Sequence, residues 1–496
     1  MPRLALFDAA EDAHDQVVVI DAAGSYTYAD LLDHSRRVAT ALLDGSDDLS
    51  ERRIAFLVTP GFDYVAVQWG IWQAGGVAVP LGLKHPRPEL AYTIDDADVS
   101  AVVVEPELKD RVAAITTSKS LPLLATDDFP ERAVNERLPA IEAFRRAMIL
   151  YTSGSTGKPK GVVTTHANIQ AQIDALVEAW EWQRTDKILH VLPMHHIHGI
   201  INVLGCAMRV AATCEFLPTF EPVRVWERFA VGDLTLFMAV PTIYVKLIAA
   251  FENASSQLQT RWSNGAGKMR LMVSGSAALP IPTLEKWEAI TGNRLLERYG
   301  MTEIGMGLSN PLHGERRAGH VGAPLPSVEA RRTNEAGEIV DDAAPGEIEI
   351  RGPSVFQEYW NRPEATAKSF RDGWFRTGDI AVVDDGAYRI LGRSSVDIIK
   401  TGGYKVSALE IEDVLRTHSA IRDCAVVGIE DAEWGERVAL CAVCDEAESI
   451  ALDELRDWAK ERLASYKVPT LLHVCDELPR NAMSKVQKPR VRELFQ

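Results

Sequence analysis

One short stretch, Tyr151–Gly161, constrains this chain more than any other. It reads Y-T-S-G-S-T-G-K-P-K-G and combines glycines, hydroxyl groups and two lysines. Glycine lets backbone N–H groups approach an anion closely, while hydroxyl and ammonium groups add donors and positive charge. The apolar residues on either side predict that this loop joins two strands of a hairpin. We therefore predict a loop that wraps a polyphosphate.

The stretch does not match the nucleotide-binding P-loop, which has four residues between its first glycine and its G-K-[ST]. Gly154 and Gly157 are separated by only two residues, and Pro159 follows Lys158 where the metal-binding hydroxyl would stand. A Ser/Gly linker is the alternative, and the flanking M-I-L-Y and V-V runs argue against it.

Length and charge narrow the class of protein. With 496 residues the chain can hold more than one domain. The net charge of −17, without a long basic stripe, argues against a general nucleic-acid binder. The first residues resemble neither a signal sequence nor a transit peptide, and no apolar run of about 18 residues occurs. We therefore expect a cytoplasmic protein with no membrane partner.

Two groups of residues resemble metal ligands without completing a site. Cys441 and Cys444 have C-x-x-C spacing, but they lie in a predicted strand, where positions three apart face opposite sides. We expect all six cysteines to be buried free thiols. Three histidines lie near the end of residues 188–199, where we expect a strand followed by a loop. They lack a nearby cysteine or carboxylate, so we expect them to line a pocket mouth instead of binding zinc.

Strands and helices alternate along the first part of the chain, which predicts an α/β fold with parallel pairing. A strand followed by a Gly/Ser-rich loop recurs at residues 151–161, 274–280 and 299–305. Ligands of α/β sheets bind beyond the carboxyl ends of strands, so these loops are predicted to share one crevice. From residue 346 the pattern becomes β-rich, and a compact α+β segment follows a polar break at 392–396, where we place the domain boundary.

Together these motifs resemble the adenylate-forming enzymes, namely acyl-CoA synthetases, amino-acid adenylation domains and luciferases. Four motifs occur in the order typical of that family. They are Y-T-S-G-S-T-G-K-P-K-G, Y-G-M-T-E at 299–303, T-G-D at 377–379, and the pair G-R…K-T-G-G-Y-K-V and P-R-N-A-M-S-K at 392–406 and 479–485. The resemblance implies a large N-terminal domain of packed sheets and helices (1–391), a hinge (392–396) and a small mobile α+β domain (397–496).

The resemblance also implies the chemistry. ATP and a carboxylic acid form an acyl-adenylate and pyrophosphate, the small domain rotates, and a thiol, usually CoA, accepts the acyl group. A carboxylate must approach an anionic phosphate in the first step, so Mg²⁺ and a lysine are suited to cancel the repulsion.

Roles follow by position in the shared motifs. Residues implied to bind the ATP phosphates are Thr152, Ser153, Gly154, Ser155, Thr156, Gly157 and Lys158, with Thr302 at the α-phosphate. Glu303, with Thr152, is implied to hold Mg²⁺, and Lys485 matches the adenylation lysine. Residues implied to bind the nucleoside are Gly275, Ser276, Ala277, Arg298, Tyr299, Gly300, Met301, Asp379 and Arg393. Of these, Tyr299 is implied to stack on adenine and Asp379 to accept hydrogen bonds from the ribose hydroxyls. Gly402 and Gly403 match the pantetheine path.

The chain departs from the family pattern at two places. Ser484 stands where glycine usually precedes the lysine. The segment after Arg393 is one residue longer than usual, which places the hinge position on Ser395.

Within the family, several details resemble the malonyl-CoA and methylmalonyl-CoA synthetases. These are E-R-Y-G-M-T-E with a downstream Met306 and S-N-P, P-M-H-H-I-H-G, and V-D-I-I-K-T-G-G-Y-K-V-S. The second carboxylate of such a substrate must stay ionised in a partly buried pocket, so the pocket needs a cation. Lys246 and Arg298 are the candidate cations. The remaining candidates for the pocket are His196, His198, Ser274 and Met306, and His196 is also a candidate catalytic residue.

Two alternatives keep the same fold. The acid is a short- or medium-chain fatty acid or an aryl acid, or the protein is a stand-alone adenylation protein that loads a carrier protein. For the two candidate cations the alternatives are that Lys246 is an exposed helix lysine and that Arg298 is structural, and a monocarboxylate enzyme would instead have apolar residues there.

Overall fold

The computed structural model describes residues 5–129, 137–152, 158–341, 343–393, 396–401, 404–431, 434–444, 450–480 and 485–495. The helices in these ranges are α1 (Ala5–Asp12), α2 (Tyr28–Leu43), α3 (Phe62–Gln73), α4 (Arg87–Asp96), α5 (Lys109–Lys119), α6 (His166–Ala179), α7 (Cys206–Arg209), α8 (Pro222–Val231), α9 (Pro241–Glu252), α10 (Ser256–Ala266), α11 (Ile281–Thr291), α12 (Pro363–Lys368), α13 (Ala408–Leu415), α14 (Leu452–Lys460) and α15 (Lys488–Glu493).

The strands of the N-terminal half are β1 (Val17–Ile20), β2 (Ser25–Thr27), β3 (Arg53–Leu57), β4 (Val77–Pro80), β5 (Val99–Val104), β6 (Leu123–Ala125), β7 (Arg146–Thr152), β8 (Lys160–Thr165), β9 (Lys187–His190), β10 (Thr213–Phe216), β11 (Leu236–Ala239), β12 (Leu271–Ser274) and β13 (Leu296–Met301). Those of the C-terminal half are β14 (Gly305–Ser309), β15 (Ala323–Pro324), β16 (Glu329–Thr333), β17 (Gly346–Arg351), β18 (Glu358–Tyr359), β19 (Phe370–Arg371), β20 (Trp374–Asp384), β21 (Ala387–Arg393), β22 (Ile398–Thr401), β23 (Tyr404–Ser407), β24 (Ile421–Asp431), β25 (Gly435–Cys444) and β26 (Leu471–Val474).

Two large sheets form the N-terminal part. One has nine strands in the order β15-β14-β13-β12-β11-β9-β10-β1-β2, and the other has seven in the order β18-β8-β7-β4-β3-β5-β6. The central strands of both sheets pair in parallel, and so does the edge strand β6 with β5. The other edges pair antiparallel, through β2, through β14 and β15, and through β8 and β18. The predicted α/β fold with parallel pairing is therefore confirmed.

Helices α2, α3 and α6 pack into the main hydrophobic core together with residues of both sheets. Helix α3 is buried along almost its whole length, which matches its nearly uninterrupted apolar sequence. Its Gly70 lies against α2 so closely that an added Cβ would be 2.5 Å from Cβ of Val38. This glycine therefore sets the distance between the two helices.

The polyphosphate loop lies between two paired strands, as predicted. Strands β7 and β8 form an antiparallel hairpin in which Leu150 faces Val162. Residues 153–157, at the tip of this hairpin, lie outside the described residues. Helix α6 follows β8 at once because Thr165 and Asn168 form a reciprocal capping box.

Two local predictions were wrong. Residues 299–301 do not begin a loop but continue β13, which pairs with β14 so that Gly300 faces Met306. A tight turn follows, and it uses Gly305 at a φ of +70°. The histidine segment is not a loop throughout, because a π-helix begins at His198 and ends at Gly205.

The C-terminal part has its own sheet, β23-β22-β25-β24 with β26 beside β25, and buried clusters on both faces. Cys441 belongs to one of these clusters and Cys444 packs against the other, which confirms that the two thiols face opposite sides. All six cysteines are free, as expected, and four of them are buried; the expectation of burial was wrong for Cys444 and Cys475, which are half-buried. None of the helices in the described ranges is long and apolar enough to cross a membrane.

The third sheet, β16-β17-β20-β19 with β21 beside β20, lies between these two parts in the sequence. It ends at Arg393, and the sheet of the C-terminal part starts at Ile398. The boundaries at 1–391, 392–396 and 397–496 stay predictions.

A second buried cluster contains Trp226, whose ring stacks on Trp262 at 5.7 Å and on Trp287 at 5.4 Å between centroids. Its indole nitrogen donates to the carbonyl of Leu247 at 2.8 Å. We expect Trp226→Ala to lower the free energy of unfolding by about 3–5 kcal/mol, because it empties a buried aromatic site. Urea unfolding followed by circular dichroism measures this loss. Trp434→Ala is the control, since Trp434 is 48% exposed, and an equal loss in both variants would contradict the prediction.

Candidate active site

The candidate site lies at the carboxyl ends of adjacent parallel strands β12 and β13. Ser274 ends β12, and Gly275 and Ser276 follow it in the loop beyond the strand. Ser276 has a left-handed backbone, with φ at +71°, which is uncommon for a residue with a side chain. Backbone strain of this kind is found disproportionately at functional sites.

Arg298, in the middle of β13, places a buried cation at this edge. Arg298 is only 3% exposed, and the Nε and Nη2 atoms of its guanidinium have no hydrogen-bond partner among the described residues. Burial lowers its pKa to about 9, so the group stays charged at neutral pH. A methyl group added at Gly275 would lie 2.6 Å from Cζ of Arg298, so only glycine leaves room for this side chain.

Other buried polar atoms around Arg298 also lack partners within the described ranges. These are Oγ of Ser274 and the Nε2 atoms of His196 and His198. The other ring nitrogen of His198 lies 3.4 Å from Oγ of Ser276. Burial lowers the pKa of His196 to about 4, and burial together with Arg298 lowers that of His198. Unpaired buried polar groups are rare in native proteins, and a cluster of them points to a polar ligand.

Two buried polar residues that sequence reasoning did not identify, Gln172 and Asn202, lie near the turn at Gly305. Gln172 donates from Nε2 to Oδ1 of Asn202 at 3.1 Å, and both are buried. Asn202 is in the π-helix, a form that is common at functional sites. Met306, a predicted pocket residue, is buried as well, and its Cε approaches Gly300.

Asp379 forms a second polar centre at the other end of the site. Its two carboxylate oxygens accept hydrogen bonds from the Tyr299 hydroxyl at 2.6 Å and from Nε of Arg393 at 3.1 Å. Burial raises the pKa of Asp379, and Arg393 opposes that rise. The structure therefore brings these three predicted residues together, whereas the stacking of Tyr299 on adenine stays a prediction.

Glu303 is a buried carboxylate with no lysine or arginine of the described residues in direct ion-pair contact, although Arg393 and Lys160 lower its pKa from farther away. Its Oε1 accepts a hydrogen bond from the Tyr359 hydroxyl at 2.8 Å, and burial raises its pKa. Tyr359 lies on β18, which pairs with β8, the exit strand of the phosphate loop. Sequence reasoning missed Tyr359 because it is 56 residues from Glu303. A buried carboxylate without a protein cation suits a hard metal ion such as Mg²⁺, which needs few protein ligands when phosphates supply the others.

The arms of the phosphate loop are fixed by tyrosines. Tyr151 donates to Oδ2 of Asp96 at 2.9 Å, and Tyr92 donates to the carbonyl of Pro159 at 2.8 Å. The ammonium of Lys158 lies 5.5 Å from the centroid of the Tyr92 ring. Thr152 is half-buried where β7 ends. The predicted roles of Ser153, Gly154, Ser155, Thr156 and Gly157 fall outside the described residues.

Lys485 comes from the C-terminal part and lies in the electrostatic field of both centres. Burial among surrounding protein lowers its pKa, Arg393 adds to this, and Asp379 opposes it. Lys485 in turn contributes to the lowered pKa of His196. The residue is nevertheless exposed to solvent.

The remaining predicted residues lie outside the buried cluster around Arg298, are more exposed, or fall outside the described residues. Lys246 is exposed, because the buried residues of α9 are Pro241, Tyr244, Leu247 and Ile248. The structure therefore does not bring Lys246 into the buried cluster around Arg298, and its role stays a prediction. Thr302 and Met301 are half-buried and Ala277 is exposed, while Gly402 and Gly403 lie outside the described residues.

The fold and these centres define an enzyme that binds a nucleotide. A family described as AMP-binding enzyme matches residues 6–360, and its AMP-binding enzyme C-terminal domain matches residues 410–485. The chain therefore belongs to the AMP-binding enzymes, which confirms the resemblance found in the sequence.

Particular relatives cover nearly the whole chain. The mitochondrial malonate–CoA ligase ACSF3 of Mus musculus is 46% identical and covers 96% of this chain and 88% of the relative. A malonate–CoA ligase of Arabidopsis thaliana is 40% identical and covers 99% and 88%. The crystal structure of ATP-bound MatB from Rhodopseudomonas palustris matches with a TM-score of 0.91 and 34% identity, and covers 100% of this chain and 99% of that one.

The hydrogen bond from Tyr359 to Glu303 leads to a test of the metal site. We expect Tyr359→Phe to raise the Mg²⁺ concentration needed for half-maximal AMP formation by about 10-fold, because groups that orient metal ligands typically contribute this much. The measurement is a Mg²⁺ titration at saturating ATP and acid. Tyr244→Phe is the matched control, since it loses a buried hydroxyl that donates to Val273 at 2.9 Å, away from Glu303. An unchanged requirement in Tyr359→Phe would contradict the assignment.

Proposed function

We propose that the protein is an ATP-dependent malonate–CoA ligase. Malonate attacks the α-phosphorus of ATP to give malonyl-adenylate and pyrophosphate, and CoA then takes the malonyl group and releases AMP. The observation that carries the proposal is the buried guanidinium of Arg298, whose Nε and Nη2 lack partners among the described residues. The mouse and Arabidopsis relatives, both named malonate–CoA ligases, support it.

The second carboxylate of malonate is complementary to this buried cation. It would accept hydrogen bonds from Nε and Nη2 of Arg298 and from Oγ of Ser274, which all need partners. A charged pair in a low-dielectric pocket is stable only when both charges are present and hydrogen-bonded. An acid with an apolar tail would leave Arg298 buried and unpaired, so the same interaction that binds malonate rejects fatty and aryl acids.

Several of the predicted residues bind different parts of ATP. Asp379 accepts hydrogen bonds from the ribose hydroxyls, and Arg393 fixes the orientation of its carboxylate through the 3.1 Å contact. Glu303 holds Mg²⁺ together with Thr152, and the Tyr359 hydroxyl orients that carboxylate. Magnesium, when bound, neutralises charge that develops on the phosphate oxygens. Thr302, next to Glu303, contacts the α-phosphate.

Lys485 supplies the positive charge at the reacting phosphate. The attacking carboxylate and the α-phosphate are both anionic, so a cation between them lowers the barrier most as charge develops. Histidines with lowered pKa values, His196 and His198, stay neutral at pH 7 and add no competing charge. The site thus concentrates positive charge at two points, Arg298 and Lys485.

The second half-reaction uses the C-terminal part. We take Gly402 and Gly403 to line the pantetheine path after rotation of that part, and CoA to be the acceptor, since the named relatives are CoA ligases. A carrier protein is the alternative acceptor and methylmalonate the alternative acid. The cytoplasmic location stays a prediction.

We predict that Arg298→Met raises the KM for malonate by about 100-fold, because truncating one partner of a buried charge pair costs 2–5 kcal/mol. The KM for ATP should change little. Steady-state kinetics with each substrate varied in turn measure both constants. Arg298→Lys keeps the charge and should retain more malonate affinity, and Lys246→Met tests the exposed candidate. Unchanged malonate kinetics in Arg298→Met would contradict the dicarboxylate pocket.

We predict that Lys485→Ala slows malonyl-adenylate formation by about 100-fold or more, the effect of removing one preorganised electrostatic contact. Thioester formation from preformed malonyl-adenylate should be largely spared, because the phosphate has already been displaced. Pyrophosphate exchange and thioester release measure the two steps separately. Lys460→Ala is the control, since Lys460 is an exposed lysine paired with Asp457. Equal loss of both steps would contradict this role of Lys485.

A further inference from the structure

Lys488 is a buried lysine three residues beyond Lys485. The residue is only 7% exposed and lies at the start of α15. Its ammonium nitrogen lies 2.6 Å from Oδ1 of Asp397 and 2.8 Å from Oε1 of Glu412. Burial alone would lower the pKa of Lys488, but Glu412 and Asp397 outweigh it and raise that pKa. The lysine is therefore charged and held between two carboxylates.

The first of these carboxylates is also bonded to the predicted hinge. Oδ2 of Asp397 accepts a hydrogen bond from the backbone N–H of Arg393 at 3.0 Å, and the backbone N–H of Asp397 donates to the carbonyl of Arg393 at 2.8 Å. A Cβ at Gly392 would lie 2.3 Å from Cβ of Asp397, so only glycine admits this turn. One carboxylate thus joins the main chain at Arg393 to the ammonium of Lys488.

The second carboxylate is anchored in the C-terminal part. Oε1 of Glu412 accepts a hydrogen bond from the backbone N–H of Val426 at 2.8 Å, and Oε2 lies 3.3 Å from Arg416. Glu412 is 3% exposed. The position of the Glu412 carboxylate is therefore set by α13 and β24, and its ion pair holds Lys488 against that part of the chain.

The chain that carries Lys485 is tied at both ends. Before it, the Arg480 guanidinium pairs with Asp423 at 2.5 Å. After it, the backbone N–H of Gln487 donates to the carbonyl of Pro479 at 2.8 Å, next to Lys488. The position of Lys488 consequently limits where Lys485 can reach.

We infer that Lys488 is a positioning residue for the adenylation step: its ammonium links the turn after Arg393 to the segment that carries Lys485. Arg393 contacts Asp379, so this link runs from the proposed ribose site through Asp397 to Lys488. The hydrogen bond from Arg393 crosses the predicted hinge, whereas both ion pairs of Lys488 lie within the C-terminal part. The inference rests on the proposed role of Lys485 in adenylation.

A purely structural role is the competing explanation. Buried ion pairs are a poor source of stability, because apolar side chains of similar volume often stabilise as well or better. Their best-attested use is to select one arrangement among several. The cluster around Lys488 has the features of such a use, since each carboxylate binds both the lysine and a main-chain amide of a different segment.

The test compares the two half-reactions in Lys488→Met, Lys488→Arg and Asp397→Asn. We expect Lys488→Met to slow malonate-dependent pyrophosphate exchange by about 10- to 100-fold, the range for a small misplacement of a catalytic group. Thioester formation from preformed malonyl-adenylate should change by less than about threefold, because that step does not use Lys485. Lys488→Arg should restore part of the exchange rate.

Lys467→Met is the matched control. Lys467 pairs with Glu410 at 2.6 Å in the same part of the chain but does not contact Asp397. Both half-reactions should stay near wild-type rates in this variant. Equal slowing of both half-reactions in Lys488→Met, or the same pattern in Lys467→Met, would overturn the inference.

Two further measurements separate the possible failures. Wild type and Lys485→Ala are assayed together. If the wild type shows no malonate-dependent exchange, the proposed function fails. If Lys485→Ala is slowed but Lys488→Met matches the wild type, the inference fails alone. Amide hydrogen exchange at Arg393 and at residues 486–491 reports the link without turnover. It should accelerate at both places in Lys488→Met and Asp397→Asn but not in Lys467→Met. Unchanged exchange at Arg393 in both variants would also overturn the inference, and Asp397→Asn supplies the test if Lys488→Met does not fold.

Discussion

The guanidinium of Arg298 lies in the protein interior, and no carboxylate of the described chain neutralises it. Burying a charge in this way costs several kcal/mol, and the cost is recovered only when a counter-ion arrives. The parallel pairing of β12 and β13 places Gly275 beside this side chain, and the absence of a Cβ at Gly275 provides the room. The proposed acid pocket therefore depends on one charge and on one position where only glycine fits.

The two buried carboxylates of the proposed ATP site are held in the same way, each by a tyrosine hydroxyl. Asp379 and Glu303 each accept a hydrogen bond from a tyrosine hydroxyl, Tyr299 at 2.6 Å and Tyr359 at 2.8 Å. Burial raises the pKa of both carboxylates, and a donor that stabilises the charged form opposes this rise. In the proposed function the tyrosines would orient the acceptors for the ribose and for magnesium, while Arg298 and Lys485 would provide the cations for the acid and the phosphate.

Much of the fold could be predicted from the sequence, because the apolar runs and the glycine-rich motifs are local signals. The hairpin of β7 and β8, the parallel sheets and the opposite faces of Cys441 and Cys444 were all predicted correctly. The extension of β13 through Met301 was missed, since Y-G-M-T-E resembles a loop in composition but its backbone groups pair with β14.

The failures at the site have a different cause. Tyr359 and Lys488 act on residues distant in sequence, so no spacing rule could identify them. The role of Lys246 stays a prediction, but its exposure could be foreseen: Tyr244 of α9 is buried, and a residue two positions later on a helix faces nearly the opposite way. The phosphate loop itself was recognised from its residues, but its contacts depend on residues 153–157 and on a bound nucleotide.

In the proposed function the buried guanidinium of Arg298 selects acids that carry a second carboxylate. The most direct measurement is ATP-dependent CoA-thioester formation with malonate, methylmalonate, succinate, acetate, butyrate and benzoate, compared as kcat/KM. The account predicts the highest value for malonate and values at least about 100-fold lower for acetate, butyrate and benzoate, as expected for the loss of one buried ion pair. Equal or higher values for a monocarboxylate would contradict the account of Arg298 and leave the ATP site and the fold unchanged.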